Sequence, residues 1–308
     1  MKKLVALAAA FSLCLCLFGC KKEEQKPAAS TPVLPEQEQQ PLAVLYTADI
    51  HGMAARPQYG SEKSPMGCAA VKAYADRLTQ EGSAVLLVDG GDSGLDEKLL
   101  KQLDYSVMIP GQLELDQGIA HLLETELPYV CCNILNADGE TVFAPYKIID
   151  HGQRQLAFVG ITSPLCALEE GYSFPKDETA FYELVQAAID EALSQGADMV
   201  IAVGYLGMDP GDSPYTSTEV IGQTSGLTAF LDSRGHVLTE GARLTDKNDK
   251  EVLILSAGTE LTYLGVLQPD LMKNTLEASL VNGLTEDDEA ILAAIEELST
   301  EPTEEPTE

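Results

Sequence analysis

Short apolar runs alternate along the chain with segments in which apolar residues recur at helical spacing. The runs predict buried strands at residues 42–46, 84–88, 129–135, 156–161, 199–203, 252–255 and 263–267. The helical spacing predicts amphipathic helices over residues 66–78 and 181–193. Strands that alternate with helices in this way are typical of a layered α/β fold whose sheets are mainly buried.

A last helix is predicted at residues 284–298. Thr285 and Asp288 have the spacing of a capping box, which predicts that this helix begins at Thr285. We expect the helix to pack on the edge of the domain through an apolar face formed by Ile291, Leu292, Ile295 and Leu298.

Residues 1–19 have the pattern of an export signal, with Lys2 and Lys3 before an apolar stretch at residues 4–18. This stretch is shorter than a membrane-spanning helix needs, so a retained transmembrane helix is the weaker hypothesis. Residues 17–20 (Leu-Phe-Gly-Cys) resemble a bacterial lipobox, which implies cleavage before Cys20 and a diacylglyceryl group on its sulfur. The alternative is an ordinary secretory signal and a chance cysteine. The lipobox predicts an exported lipoprotein, anchored through Cys20 to the extracytoplasmic face of the cell membrane.

Composition divides the remainder of the chain. Residues 20–41 are rich in Lys, Glu, Gln, Pro and Ala and have no apolar period, which predicts a flexible tether. Residues 299–308 repeat Thr, Glu and Pro, which predicts a disordered acidic tail. Residues 42–283 are long enough to form one large α/β domain between the tether and the last helix.

The chain is strongly acidic, with a formal net charge of -30 from 19 basic and 49 acidic side chains. This excess of negative charge argues against nucleic acid and against anionic membrane surfaces as partners. A local cationic site could still bind an anionic small molecule, because a local field can override the mean charge.

Four cysteines follow Cys20, namely Cys68, Cys131, Cys132 and Cys166. Cys131 and Cys132 are adjacent in a predicted strand and would face opposite sides, so we do not expect them to pair with each other. The paired C-x-x-C spacing of a cysteine metal site is missing, and buried reduced thiols are the expected state.

Polar residues follow several predicted strands, at the sheet edge where open α/β folds build their sites. Asp49 and His51 follow the first strand, and Asp92 ends the segment 89–92 (D-G-G-D) after the second. A D-x-H pair can place a carboxylate and an imidazole near one ion. Each of these short motifs is weak alone, because turns often contain the same residues.

Three more segments follow in order: 111–116 (G-Q-L-E-L-D), 204–207 (G-Y-L-G) and 233–236 (S-R-G-H). Together with 49–52 (D-I-H-G) and 89–92, the series resembles the 5′-nucleotidase (5′-nucleotidase/2′,3′-cyclic phosphodiesterase) branch of the calcineurin-like metallophosphoesterases. The motifs of that branch are D-I-H-G, D-x-G-D, G-N-H-E-F-D, S-H-L-G and G-H-S-H. The resemblance extends over about residues 42–269 and implies a four-layer αββα sandwich of two mixed β-sheets flanked by helices.

The family binds two metals, and the resemblance implies that the first would be held by Asp49, His51, Asp92 and His236, all of which are present. Two carboxylates and two imidazoles suit Zn, Mn or Fe, so we expect one divalent metal of this class. Each residue alone is more simply explained as a solvated turn carboxylate or a surface histidine. Their occurrence in the family's order favours the metal site.

The positions unique to the second metal hold Gln112, Tyr205 and Arg234. Gln112 keeps an amide oxygen but is one methylene longer than the family's asparagine. Tyr205 is a poor neutral ligand, and Arg234 offers no lone pair and would repel a cation. The family's catalytic histidine corresponds to Leu113, which can neither donate a proton nor hydrogen-bond a phosphate oxygen.

These substitutions leave three hypotheses open. The first is a phosphoesterase relative with weak or no hydrolysis that keeps one metal and binds a phosphate-bearing or other anionic ligand through Arg234. The second is an active mononuclear phosphohydrolase of nucleotides or phosphate esters, with Tyr205 or Arg234 in new roles. The third is a non-enzymatic surface interaction lipoprotein in which the site is a relic. We favour the first, since all first-metal positions remain and all positions unique to the second metal change.

Overall fold

Two β-sheets form the middle of the domain in the computed structural model, which describes residues 40–57, 66–208, 213–235 and 237–300. The first sheet has the spatial order β11-β10-β1-β2-β3 and the second has the order β4-β5-β6-β7-β9-β8. Strands of the first sheet are β1 (Leu42–Thr47), β2 (Ala84–Asp89), β3 (Val107–Met108), β10 (Leu264–Asp270) and β11 (Thr275–Val281). Strands of the second are β4 (Tyr146–His151), β5 (Arg154–Thr162), β6 (Met199–Tyr205), β7 (Ala229–Ser233), β8 (Leu238–Thr245) and β9 (Glu251–Ala257).

Helices cover the outer face of each sheet. The first sheet packs against α1 (Cys68–Gln80), α2 (Glu97–Leu103), α3 (Gln112–Leu115), α4 (Ile119–Glu124) and α7 (Glu289–Thr300). The second packs against α5 (Glu178–Ser194) and α6 (Ser217–Gln223). A third apolar cluster fills the space between the sheets. The predicted four-layer sandwich of two mixed sheets is therefore confirmed.

Strand register brings the polar motifs to one end of the sandwich. β1 and β2 are parallel, and Thr47 is paired with Asp89, so the loops that follow the two strands begin side by side. β6 and β7 are also parallel, and Tyr205 is paired with Ser233, the residue before Arg234. Residues far apart in sequence therefore leave neighbouring strand ends together.

Two sequence-based predictions of secondary structure were wrong. Residues 129–135 do not form a strand and contribute only isolated bridges, from Tyr129 and Val130 at one end and Leu135 at the other. The last helix begins at Glu289, four residues later than predicted. Asp288 caps it by accepting a hydrogen bond from the backbone N of Ile291 at 2.9 Å. The assignment of residues 42–283 to one domain stays a prediction.

The expected state of the cysteines is confirmed for three of four. Cys68, Cys131 and Cys132 are buried free thiols, and Cys166 is a free thiol that is partly exposed. Cys131 packs in the cluster outside the first sheet and Cys132 in the cluster outside the second, so the adjacent pair does face opposite ways. Over the described part of the chain, no helix combines the length and apolar character needed to cross a membrane.

Candidate functional site

Three backbone hydrogen bonds join the loop after β1 to the loop after β2. Asp49 N donates to Gly91 O at 3.2 Å, His51 N donates to Asp92 O at 3.0 Å, and Gly52 N donates to Ser93 O at 2.8 Å. These bonds bring the D-x-H pair of the first loop beside the aspartate of the second.

Four non-glycine residues of this region have left-handed backbone conformations: Asp49 (φ 45), His51 (φ 52), Asp92 (φ 54) and Arg234 (φ 72). Such conformations cost roughly 1–2 kcal/mol each for residues with a side chain. Strain of this kind persists where the surrounding hydrogen bonds over-determine the backbone, and it is concentrated at functional sites.

Glu114 is a buried carboxylate that fixes the loop around Asp92. Its two oxygens accept hydrogen bonds from the backbone N of Asp92 (2.8 Å), Ser93 (2.9 Å), Gly94 (3.3 Å) and Gly111 (2.9 Å), and from Ser93 Oγ (2.8 Å). These hydrogen bonds satisfy backbone donors that have no partner in a helix or strand, and they hold the strained residue in place.

Asp49, His51 and Asp92 come together as a candidate metal-binding cluster. One potential ligand atom from each residue lies within 4.8 Å of the other two, and His51 Nε2 is 3.7 Å from Asp92 Oδ2. Asp49 and Asp92 are buried, while His51 is accessible from solvent. Two carboxylates and one imidazole at this spacing fit a divalent metal, which would have coordination positions left for further ligands.

The fourth predicted ligand, His236, lies outside the described residues, as does Cys20. The segment that leads to His236 is nevertheless tied to the cluster through Asp49. Asp49 accepts hydrogen bonds from Ser233 Oγ at 3.0 Å and from Gly235 N at 2.9 Å. The end of β7 is therefore fixed against the first metal ligand.

Burial raises the pKa of Asp49 above its ordinary value, although the hydrogen bonds from Gly235 and Ser233 work in the opposite direction. Burial likewise raises the pKa values of Asp89, at the end of β2, and of Asp232, in β7. A bound divalent cation would favour the charged form of Asp49, because an opposite charge nearby lowers the pKa of a carboxyl group.

Both ends of the Gln112 side-chain amide are hydrogen-bonded. Its Oε1 accepts a hydrogen bond from Ala167 N at 2.8 Å, and its Nε2 donates to Asp116 Oδ1 at 2.7 Å. The amide thus connects α3 with Asp116 at the end of the helix and with the loop after β5. The amide oxygen, which is the atom that could bind a metal, therefore already has a partner.

Tyr205 contacts Asp92, and Arg234 lies near the ring of Tyr205. The Tyr205 hydroxyl donates to Asp92 Oδ2 at 2.5 Å, and the guanidinium carbon of Arg234 is 6.0 Å from the centre of the Tyr205 ring. Burial and the hydrogen bond to Asp92 raise the pKa of Tyr205, so the phenol keeps its proton. Leu113 approaches Asp92 only through its backbone, whose N donates to Asp92 Oδ1 at 2.9 Å, and its side chain is 37% exposed.

Three residues that hold the site together were missed by the sequence analysis: Glu114, Ser233 and Asp232. Asp232 Oδ1 accepts hydrogen bonds from Ser217 Oγ and from Gly207 N, which fixes the end of β7 to the start of α6. Glu114 and Ser233 lie inside the motif segments 111–116 and 233–236, and this position could have marked them as residues of the site. Their hydrogen-bond partners are distant in sequence and carry no local pattern.

Comparisons with known proteins agree with this architecture. No protein-family model matches the chain. Protein UshA of Escherichia coli is 29% identical over 210 residues, 58% of this chain and 36% of that protein. A 5′-nucleotidase of Diplobatis ommata is 26% identical over 197 residues, 54% of this chain and 34% of that protein.

Solved structures show the same fold. A 5′-nucleotidase precursor from Thermus thermophilus matches 84% of this chain and 58% of its own, with a TM-score of 0.70 and 20% identity. The calcineurin-like phosphoesterase YfkN from Bacillus subtilis matches 85% of this chain and 97% of its own, with a TM-score of 0.66 and 18% identity. The chain therefore has the fold of a calcineurin-like phosphoesterase, and over about half of its length its sequence is similar to 5′-nucleotidases and UshA proteins.

The chain spans between 25% and 36% of the length of the curated relatives that it matches first. The activity for which some of those relatives are named therefore describes those proteins, and for this chain it is only proposed.

Proposed function

We propose that the chain is a metallophosphoesterase relative that holds one divalent metal on Asp49, His51 and Asp92, with His236 as the fourth ligand. The site would bind a phosphate-bearing or other anionic ligand with weak or no hydrolysis. The observation that carries this proposal is that Asp92 has two kinds of neighbour. Its carboxylate is grouped with potential ligand atoms of Asp49 and His51, and its Oδ2 accepts the hydroxyl proton of Tyr205.

Arg234 supplies the charge for an anionic ligand. Among the described residues, no carboxylate lies within 4.0 Å of its guanidinium, and its one recorded hydrogen bond is a long one of 3.5 Å to Leu206 O. A planar guanidinium with free donors matches two oxygens of a phosphate or carboxylate group. The negative charge of the whole chain makes such a free local cation the natural place for an anion.

The same residues explain why hydrolysis should be weak. A bound metal in this family would act as a Lewis acid and would activate a water molecule. Leu113 offers no proton to a leaving group, and acid–base assistance of this kind typically contributes about 10²–10⁴-fold in rate. Arg234 can bind and orient an anion, but its guanidinium keeps its proton at ordinary pH.

Metal content tests the proposal directly. Purified protein, loaded with Zn²⁺ or Mn²⁺ and then dialysed, should contain about one ion per chain by elemental analysis. His51→Ala should remove most of that occupancy, and His121→Ala, on an exposed position of α4, is the matched control. A wild type without metal after loading would support the relic hypothesis, and two ions per chain would contradict the one-metal site.

Anion binding and turnover separate the remaining hypotheses. Inorganic phosphate should bind the metal-loaded protein in calorimetric titrations, and Arg234→Gln should weaken that binding at least about tenfold, as loss of a charge-assisted hydrogen bond implies. Arg243→Gln, on the edge strand β8, controls for the loss of a positive charge. Robust hydrolysis of nucleotides or an aryl phosphate by the wild type, lost in His51→Ala, would instead establish a mononuclear phosphohydrolase.

Export and anchoring form a separate part of the proposal, supported by the basic and apolar pattern of residues 1–19 and by Cys20. The mature protein should fractionate with membranes and face the extracytoplasmic side. Cys20→Ser should block processing or release the protein, whereas Cys16→Ser, within the proposed signal, should change neither. Normal processing and membrane association of Cys20→Ser would contradict lipidation.

A further inference from the structure

Both carboxylate oxygens of Asp92 are engaged in the structure. Oδ1 accepts the backbone N–H of Leu113 at 2.9 Å, and Oδ2 accepts the hydroxyl of Tyr205 at 2.5 Å. Oδ2 is also the oxygen nearest His51, at 3.7 Å from Nε2. The same oxygen therefore lies near His51 of the candidate metal cluster and accepts the hydroxyl proton of Tyr205.

The fold leaves the Tyr205 hydroxyl little freedom. Tyr205 ends β6, its residue is only 6% exposed, and its ring belongs to the apolar cluster between the two sheets. Arg234 follows the neighbouring strand β7 and lies over the ring. A phenol has few rotatable bonds, so a packed ring fixes the position of its oxygen.

A carboxylate oxygen has two lone-pair directions in its plane. At Asp92 Oδ2, the hydroxyl proton of Tyr205 takes one of them, which leaves one for a cation held together with Asp49 and His51. A second cation that shared this oxygen would have to displace the proton donor. It would also have to approach the guanidinium of Arg234, which repels it.

We propose that Tyr205 limits the site to a single metal ion, because its hydroxyl proton occupies one of the two lone-pair directions of Asp92 Oδ2 that two bound cations would need. This inference rests on the proposed one-metal site and adds a cause for the number of ions. Arg234 contributes repulsion through space, whereas Tyr205 acts through the oxygen itself. The two contributions are therefore separable by substitution.

The test compares three proteins that all lack the charge of Arg234: Arg234→His, Arg234→His with Tyr205→Phe, and Arg234→His with Tyr205→His. Each is stripped of metal and titrated with Mn²⁺, and bound ions are counted after equilibrium dialysis. Electron paramagnetic resonance is recorded in parallel, because two Mn²⁺ ions that share one oxygen are magnetically coupled. An ion bound elsewhere on the acidic surface gives an uncoupled spectrum.

Arg234→His alone should bind one Mn²⁺, since the hydroxyl proton of Tyr205 remains. Addition of Tyr205→Phe keeps the buried ring and frees Asp92 Oδ2, and should strengthen binding of a second, coupled ion at least about tenfold. Tenfold is about the effect of removing one competing hydrogen bond to a charged group. Addition of Tyr205→His also supplies a ligand and should bind the second ion most tightly.

Different failures have different meanings. A coupled second ion in Arg234→His alone would overturn the inference, because charge would then be the whole obstacle. A single ion in both Tyr205 variants, with melting curves that show folded protein, would overturn it as well. A wild type that binds no ion at all would instead overturn the proposed one-metal function.

Discussion

Glu114 accepts the backbone N–H of Asp92 through Oε2 at 2.8 Å, across 22 positions of sequence. The same carboxylate also holds the two residues that follow Asp92. Glu114 therefore fixes the backbone of the loop that carries Asp92, whatever side chains stand at the neighbouring positions Gln112 and Leu113.

We predict that Glu114→Ala lowers the free energy of unfolding by at least about 3 kcal/mol, because it leaves several buried N–H groups without an acceptor at about 1–3 kcal/mol each. Metal affinity should fall as well, since Asp92 would lose the support of its left-handed conformation. Urea unfolding and metal titration measure the two effects. Glu183→Ala, on the exposed face of α5, should change stability by less than about 0.5 kcal/mol. A stable Glu114→Ala protein with unchanged metal binding would contradict this role.

Arg56 connects the loop after His51 to the segment before α7. Its guanidinium donates to Leu284 O at 2.7 Å and to Asp287 Oδ1 at 2.8 Å. We predict that Arg56→Ala destabilises the protein by about 1.5–3 kcal/mol, the usual range for hydrogen bonds to charged groups. Hydrogen exchange should also increase in residues 54–57 and 284–288.

Arg77→Ala is the matched control for Arg56→Ala, because Arg77 contacts the same C-terminal segment from α1. Its partner Glu286 is 3.8 Å away and 73% exposed, so the pair should contribute about 0–1 kcal/mol. Equal effects of the two substitutions would show that the hydrogen bonds of Arg56 do not hold the segment in place.

Asp89 makes stability depend on pH. Burial raises its pKa well above the ordinary value, and the nearby charge of Glu114 adds to the effect, while hydrogen bonds from Thr47 and Gly91 oppose it. The pKa of Asp89 is higher in the folded than in the unfolded protein, so protonation of this carboxyl group favours the folded state. Its contribution to the free energy of unfolding is fully present below the unfolded pKa of about 3.9 and is lost as pH rises through the folded pKa.

Asp89→Asn removes this titration, so the variant should gain stability relative to wild type as pH increases from about 4. Urea unfolding of metal-free protein at several pH values measures the difference. Asp138→Asn, in an exposed turn, is the control. A constant difference between Asp89→Asn and wild type across the pH range would show that Asp89 does not titrate as described.

The sequence predicted most of the central strands, but it missed the central strand β7 and the edge strands β4, β8 and β11. β1 and β6 are buried at every position, and so they appear as continuous apolar runs. β8 and β11 expose alternate positions and contain charged and small residues, which leaves no apolar run to recognise. Residues 129–135 look like a strand because they are buried, but burial alone does not require pairing along a whole segment.

At the site, sequence order was enough to bring Asp49, His51 and Asp92 together as candidates, because parallel strands end at one edge. Sequence order did not show which contacts Gln112 and Tyr205 make at the positions where the resemblance implies metal ligands. Gln112 bonds Ala167, and Tyr205 bonds Asp92, at separations of 55 and 113 residues. No local pattern encodes contacts of such range, so they required the structure.

Restoring the family residues provides the most demanding prediction. Gln112→Asn, Leu113→His, Tyr205→His and Arg234→His together should create a second metal site and raise phosphate-ester hydrolysis above wild type. The gain should be on the order of 10²-fold or more, since a proton donor and a second Lewis acid are added together.

Single reversions should do little, because these groups act as a unit. Gln112→Asn carries its own cost, as the shorter amide would lose its hydrogen bond to Ala167 and loosen the loop after β5. Phosphate release in excess Mn²⁺ or Zn²⁺ measures the outcome, and His51→Ala in the restored background should abolish it. Two bound metals without turnover would show that the four substitutions were not the only obstacle, and that loops beyond Asp92 have also changed.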